Sequence, residues 1–386
     1  MTITRFAFPT TIHFGVGARA LTGPQLREQG CKRQLIVTDK GLAALPLIAG
    51  LKAGLEAAGL RVAVYGGVFG NPTGPQVMKG AAAYQAHGAD CVVGVGGGAA
   101  LDVAKVVGLL ATHPGDVMEY GWDHPQVRSI DAAALPYFVA LPTTSGTGSE
   151  VGRSSVISEA DTHIKRVLFS PLILAKVVFA GPELTLGLPP AVTAATGMDA
   201  LTHNIESYLS PAYHPLCDGI ALEGVRIGAR ALLTAVQEPG NVQARADMMM
   251  SSMMGAIAFQ KDLGAVHSCA HALGTVCDLH HGRANALMIE PVMRFNLEAA
   301  PAKFAELAHV VGAGTGAGAA VAAPLFVPWL ALLKRSIGIA PSHAAVGVKR
   351  DQSARLVEIA MTDMCHQTNP RSCSATDFER FFAEAF

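Results

Sequence analysis

CVVGVGGGAALDVAKVVGLL (residues 91–110) reads as a short buried strand, a turn of three consecutive glycines and then a helix. Gly96, Gly97 and Gly98 let the backbone approach an anion closely, and the helix start offers unpaired N–H groups at its positive dipole end. A diphosphate suits such a turn. The spacing departs from G-x-G-x-x-G, so a glycine turn that merely connects is the plain alternative. A second loop, LPTTSGTGSEV (141–151), again follows a strand and is dense in hydroxyls interleaved with Gly146 and Gly148. The apolar runs LIVT (35–38), VAVYGGV (62–68) and YFVALPTT (137–144) are short and bounded by Gly, Pro or Asp, with helix-like segments between them. That rhythm predicts a parallel sheet covered on both faces. Asp39 ends the strand LIVT, where a carboxylate can accept from a ribose diol and repel a 2′-phosphate, favouring NAD over NADP. A helix N-cap is its equally good local reading.

Beyond GPELTLGLPP (181–190) the chain turns Ala-, Leu- and Met-rich with no convincing strand. Two domains are expected, an α/β unit over 1–188 and an all-helical unit over 189–386, with ligands where they meet or at the carboxyl ends of the strands. Of 386 residues, 50% are hydrophobic and 15% charged, which excludes a disordered chain. A net charge of −1 supplies no basic field for nucleic acid or anionic lipid. The N-terminus, MTITRFAFPTTIHFG, lacks the apolar core of a signal peptide, and the seven cysteines include no CxxC pair, so a reducing cytoplasm is expected. The uncharged stretch 310–333 is long enough for a membrane span, but its glycines and prolines predict a loop followed by a buried helix from Ala323 to Ile337, ended by Gly338. No membrane partner is expected.

In TGMDALTHNIES, Asp199 and His203 are four apart and share a helix face; His267 and His271 in LGAVHSCAHALG repeat the spacing, and LHHGRANA adds His280 and His281. One carboxylate with three imidazoles suits a divalent first-row ion such as Fe²⁺ or Zn²⁺. Any one of these histidines alone reads as an ordinary packed residue. Together, in a segment with little charge, they would be costly to bury without a partner.

FPTTIHFGVGA, GVGGGAALDVAK, LPTTSGTGSEV, ATGMDALTHNIE, GAVHSCAHALG, HHGRANA and TNPR, in that order, resemble the iron-containing (group III) alcohol dehydrogenases over nearly the whole chain. The resemblance implies the dehydroquinate synthase-like/iron-dependent alcohol dehydrogenase fold: a Rossmann-like α/β domain and a helical domain, NAD and metal in the cleft, and a homodimer. It implies Asp199, His203, His267 and His281 as metal ligands, with Fe²⁺ as the ion and Zn²⁺ or Mn²⁺ able to take the same donors. His271 would be the proton relay beside them. Gly97, Gly98, Asp102, Thr143, Thr144, Thr147 and Lys165 would hold the dinucleotide, with Asp39 on the adenosine ribose and Asn71 near the nicotinamide. Ala99 stands where the family commonly has Ser, Gly152 where it has Thr, and His280 where it has Pro.

GSEVGR, GAIAFQKDLGAVHS, LHHG and CHQTNPR are most similar to the 4-hydroxybutyrate dehydrogenase branch. Such a substrate needs a cation or donor cluster for its remote carboxylate, and Arg153, Lys261, His280 and Arg283 are candidates; a solvated surface charge is the alternative for each. Three other readings remain open at this point: a dehydrogenase of simple alcohols or diols, a metal- and NAD-dependent lyase of the dehydroquinate synthase type, and a non-catalytic binding protein.

Overall fold

The computed structural model describes residues 6–8 and 10–386; residues 1–5 and residue 9, part of the N-terminal stretch read above, lie outside them. Two compact units result. One takes Phe8–Thr144 and Gly148–Thr185; the other takes Ser145–Thr147, Leu186–Phe386 and, of the N-terminal segment, Phe6 and Ala7.

In the first unit the strands are β1 (Thr11–Phe14), β2 (Arg33–Asp39), β3 (Arg61–Val68), β4 (Cys91–Gly96), β5 (Tyr137–Pro142), β6 (Ser154–Ser158), β7 (Lys165–Phe169) and β8 (Val177–Ala180). Six form one sheet in the order β1-β8-β5-β4-β2-β3, every pairing parallel. The helices α1 (Thr22–Glu28), α2 (Lys40–Ala43), α3 (Pro46–Ala57), α4 (Gly74–His87) and α5 (Gly98–Thr112) connect them. Every residue of β4 is buried, as a central parallel strand covered on both faces requires. Because β2 leads outward to β3 while β4 leads the other way to β5, the strand order reverses beside β4, and the carboxyl ends there are where α/β sheets bind ligands.

The sequence reading found β2, β3, β4 and β5 and missed four strands. β1 and β8 have only four residues each, too short to show a period. β6 and β7 form an antiparallel hairpin, SSVIS against KRVLF, whose polar positions mask it.

The second unit is helical throughout the described residues: α6 (Pro190–Leu209), α7 (Pro215–Gln237), α8 (Val242–Ala258), α9 (Ala265–Cys277), α10 (His281–Asn296), α11 (Pro301–Val310), α12 (Ala319–Ala322), α13 (Phe326–Ser336), α14 (Ser353–Thr362) and α15 (Ala375–Glu384). Leu201 and Ile205 of α6 are fully buried beside Val225, Leu273 and Val292 in one core cluster. Each such side chain contributes about 1.5–3 kcal/mol. Gly255 lets α8 come close to α6, since a Cβ there would lie 2.9 Å from the Cβ of His203. The uncharged stretch departs from its expected form. Its helical run begins at Ala319, and α12, a 3-10 turn and α13 follow one another up to the stop at Gly338, whose φ is 73°. Ala319–Ser336 is long and apolar enough to cross a membrane by length and composition, with 33% of it buried. Phe326, Val327, Leu330 and Leu333 turn inward while Leu332 is exposed, so the helix packs along one face instead of being buried all round.

Candidate metal centre and dinucleotide surface

Helix periodicity builds the metal centre. Asp199 and His203 share one face of α6; His267 lies near the start of α9 and His281 opens α10. One donor atom from each of the four comes within 4.8 Å of all the others. Asp199 Oδ1 is the hub, 3.8 Å from His203 Nε2, 3.9 Å from His267 Nε2 and 3.4 Å from His281 Nε2. Three imidazole nitrogens and a carboxylate oxygen, three of the four residues buried, are a donor set that a divalent ion fits. Those donors would hold it.

Three side chains that the sequence reading passed over support this centre. Glu206 Oε2 accepts from His267 Nδ1 at 2.6 Å, and its Oε1 accepts from the Val266 N–H at 2.8 Å. With the carboxylate accepting, the His267 proton sits on Nδ1 and Nε2 would be left to a metal ion. Burial, with His203 adjacent, holds the His267 imidazole neutral by lowering its pKa well below the ordinary value, and burial pushes the Glu206 carboxyl up to about 7. Asn285 Nδ2 donates to Asp199 Oδ1 at 2.7 Å and lies 3.4 Å from His267 Nε2 and 3.3 Å from His281 Nε2. Its amide sits among the donor atoms.

His271, one turn beyond His267, stacks on the His281 ring with centroids 5.3 Å apart and keeps a partly exposed side chain. Its Nδ1 pairs with Asp363 Oδ2 at 2.7 Å. Asp363 Oδ1 accepts from Ser268 Oγ at 2.7 Å and from the Cys365 N–H at 2.9 Å. Burial works to raise the Asp363 carboxyl, but the His271 charge and these hydrogen bonds outweigh it and hold the group well below the usual carboxylate range. In TNPR, Asn369 Oδ1 accepts from the Ala265 N–H at 3.2 Å while its Nδ2 donates to Asn296 Oδ1 at 2.7 Å. That motif fastens the start of α9 to the end of α10.

Within the α/β unit Asp39, Asn71, Gly97, Gly98, Thr143 and Thr144 lie at or just after the carboxyl ends of β2, β3, β4 and β5. Gly96 has φ 151°, and a Cβ there would fall 2.6 Å from Ala100, so no other residue fits. Gly97 is the N-cap of α5 and Gly98 its first residue, with Thr144 packed against Gly97. Thr143 is buried and donates its N–H to Gly96 O at 3.0 Å, joining β5 to β4. Asp39 is the N-cap of α2, its Oδ1 accepting from the Leu42 N–H at 2.8 Å, while Oδ2 lies toward Gly96, 3.5 Å from where a Cβ would be. Asn71 sits in the loop after β3, which is tied to β6 through Ser158 N donating to Pro72 O at 2.7 Å; Ser158 in turn pairs with Lys165 of β7. Thr147 falls in the short segment 145–147 of the other unit and is half-buried.

One expectation needs correction, and one residue has a structural tie of its own. Both Asp102 oxygens are taken by protein, one by Ser149 Oγ and the other by the Val156 N–H at 2.9 Å. With Lys105, which donates to Ser149 Oγ at 2.8 Å, Asp102 fastens the loop before β6, a structural tie beside the cofactor role expected of it. Lys261 is buried, its ammonium held by Asp218 and by Tyr208 O at 3.4 Å, so it tethers the end of α6 and is no free cation for a substrate carboxylate. Arg153 lies over the Phe169 ring at 5.4 Å, and His280 is the exposed N-cap of α10. Arg283 is also exposed.

A nucleotide-type parallel sheet in one unit and an Asp-His-His-His centre in the all-helical other point to a metal-dependent oxidoreductase class. The family model described as "Iron-containing alcohol dehydrogenase" matches residues 9–182, and "Fe-containing alcohol dehydrogenase family, C-terminal" matches 193–386. The chain belongs to the iron-containing alcohol dehydrogenase family. It is 38% identical over 385 residues to the 4-hydroxybutyrate dehydrogenase of Cupriavidus necator, covering 97% of this chain and 98% of that one. A solved 1,3-propanediol oxidoreductase superposes with a TM-score of 0.95 at 36% identity, covering 100% of both chains. A sulfoacetaldehyde reductase from Bifidobacterium kashiwanohense, solved in complex with NAD⁺, superposes with a TM-score of 0.90 at 27% identity, covering 100% of this chain and 99% of that one. These matches to dehydrogenases leave the lyase and the non-catalytic readings without support.

Proposed function

We propose that the protein catalyses reversible hydride transfer between NAD and a primary alcohol bearing a remote carboxylate, an ω-hydroxy acid of the 4-hydroxybutyrate class. The observation that carries the reaction is the convergence of Asp199, His203, His267 and His281 with His271 stacked at its edge. When bound, a divalent ion supplies Lewis acidity at the alcohol oxygen and NAD takes the hydride. Fe²⁺ is the proposed ion, with Zn²⁺ or Mn²⁺ able to occupy the same donors.

The chain's own groups handle orientation and the proton. Glu206 fixes the His267 tautomer, and Asn285 orients Asp199. Asp363 holds His271 through Nδ1, so Nε2 is the nitrogen that takes the alcohol proton, and the carboxylate stabilises the resulting imidazolium. Exposure of the His271 side chain at 21% lets that proton pass to solvent. Gly97, Gly98, Thr143, Thr144, Thr147, Lys165, Asn71 and Asp39 are the proposed NAD contacts, with the Asp39 charge rejecting a 2′-phosphate. Arg153 and His280 are the proposed partners of the substrate carboxylate, a reading supported by the likeness to the Cupriavidus relative. The seven cysteines carry no disulfide, in keeping with the cytoplasm, and the edge strand β1 exposes Phe14 next to the exposed Val16, which suits a homodimer.

The test is NADH release by metal-loaded protein offered 4-hydroxybutyrate, 1,3-propanediol and butanol. A higher kcat/KM for the hydroxy acid, lost in Arg153→Ala or His280→Ala, is expected. Preference for the plain alcohols would discard the carboxylate reading and leave the diol or simple-alcohol activity.

A further inference from the structure

Sixty residues apart in sequence, Cys31 and Cys91 meet at the amino-terminal ends of β2 and β4, the opposite end of the sheet from Gly96–Gly98. Their sulfurs and one oxygen of Asp90 all lie within 4.8 Å of one another. Cys91 is fully buried and Cys31 is 8% exposed, while Asp90 is exposed and opens the cluster to solvent. Asp90 is held in place: its Oδ2 accepts from the Lys32 N–H at 2.7 Å and its Oδ1 from the Arg33 N–H at 3.0 Å. The second lone pair of each oxygen stays available.

A separate observation points into the same place. Gln34 is fully buried, and among the described residues neither its amide oxygen nor its amide nitrogen has a nitrogen or oxygen partner. It pairs with Cys91 across β2 and β4, and its amide meets the Cys91 thiol. The two thiols are unequal: the hydrogen bond from Cys91 lowers the Cys31 pKa, while that bond and burial raise the Cys91 pKa.

We propose that Cys31, Cys91 and Asp90 form a second cation site, for a thiophilic divalent ion of the Zn²⁺ or Cd²⁺ class, distinct in chemistry from the imidazole-rich centre. A four-coordinate ion with metal–sulfur bonds of about 2.3 Å sets its ligand atoms roughly 3.7 Å apart, so the cluster closes by about 1 Å or less. The ion displaces one proton from each thiol, giving two thiolates, two released protons and the Asp90 carboxylate as third ligand. Paired thiolates select such ions over Fe²⁺, whereas three imidazoles and a carboxylate do not. Binding joins the starts of neighbouring strands β2 and β4, and so stabilises the α/β unit by mass action.

The experiment is a Cd²⁺ titration of the purified full-length chain, read by thiolate-to-metal charge-transfer absorption and by proton release. The histidine centre holds no sulfur, so its occupancy adds nothing to that band. One Cd²⁺ per chain with the band is expected, retained in His267→Ala and in Cys365→Ser, the latter because Cys365 lies in the other thiol-bearing cluster with His271 and Asp363. Cys31→Ser and Cys91→Ala should each lose affinity by more than the roughly 100-fold that a lost outer-shell partner costs. Either variant decides the matter if folded by circular dichroism. Absence of the band in the wild-type chain, or its survival in either folded variant, overturns the proposal.

Discussion

Replacing Glu206 by Gln exchanges one carboxylate oxygen for an NH₂ group at almost constant volume, inside a fully buried pair. The carboxylate now accepts twice, from the Val266 N–H at 2.8 Å and from His267 Nδ1–H at 2.6 Å. The amide has a single acceptor. If it stays on Val266, an NH₂ group faces His267 and drives the imidazole proton to Nε2, the nitrogen that points at Asp199 Oδ1. A cation then has to displace that proton before it can bind. Loss of such an outer partner costs about 10- to 100-fold in metal affinity, or roughly 1.4–2.7 kcal/mol. The metal-free fold changes little or gains stability, because the variant removes a carboxyl that burial has already pushed up to about 7. Chelator competition gives the affinity, and thermal unfolding of the metal-free protein gives the control. A folded Glu206→Gln chain that binds the ion as tightly as wild type would refute the assigned tautomer.

Other consequences are as direct. Asp363→Asn should lower kcat for alcohol oxidation by on the order of 10- to 100-fold and reshape its pH profile, below the loss expected from removing a general acid–base group itself. Metal content should hold, and Asp363→Glu should recover part of the rate; an unchanged profile would remove Asp363 from the relay. Asp39→Asn keeps an acceptor for the Leu42 N–H but loses the charge, so it should relax the NAD preference at little cost in stability, and Asp39→Gly should shift the preference with the loss of only about a few tenths of a kcal/mol of capping. Unchanged NAD/NADP ratios in both would leave Asp39 a cap alone. His343 is fully buried, neither ring nitrogen is bonded among the described residues, and burial lowers its pKa to about 4 from an ordinary 6.5. Its folded pKa is the depressed one, so stability is intact above pH 6.5 and falls as pH drops toward 4, by up to about 3 kcal/mol. His343→Leu should flatten the unfolding temperature over that window; an equally acid-sensitive variant would contradict the assignment.

Much of the site was written in local spacing. Asp199 with His203, and His267 with His271, follow the i, i+4 rule, and the glycine turn at 96–98 announces its own geometry. Glu206 and Asn285 obeyed the same rule, three residues after His203 and four after His281, and were legible in principle as members of those faces. Asp363 was not. It reaches His271 across 92 residues, and no local pattern marks a carboxylate that only the packing of α14 beside α9 brings into place. Lys261 reads in the sequence as a charge offered to a ligand, but a chain with 15% charged residues uses some of them as internal fasteners. In the fold, long buried runs were visible, while four-residue strands and the polar hairpin β6–β7 needed their partners to be recognised.

The central claim is that the Asp199, His203, His267 and His281 centre makes the protein an alcohol dehydrogenase. Stepwise anaerobic addition of Fe²⁺ to metal-free protein, with bound ion and NADH formation from 4-hydroxybutyrate recorded on the same samples, tests it most directly. Bound ion and turnover should rise together and plateau at one ion per chain, and both should be absent in His267→Ala and His281→Ala. Full turnover by metal-free protein, or by either variant, would contradict the account.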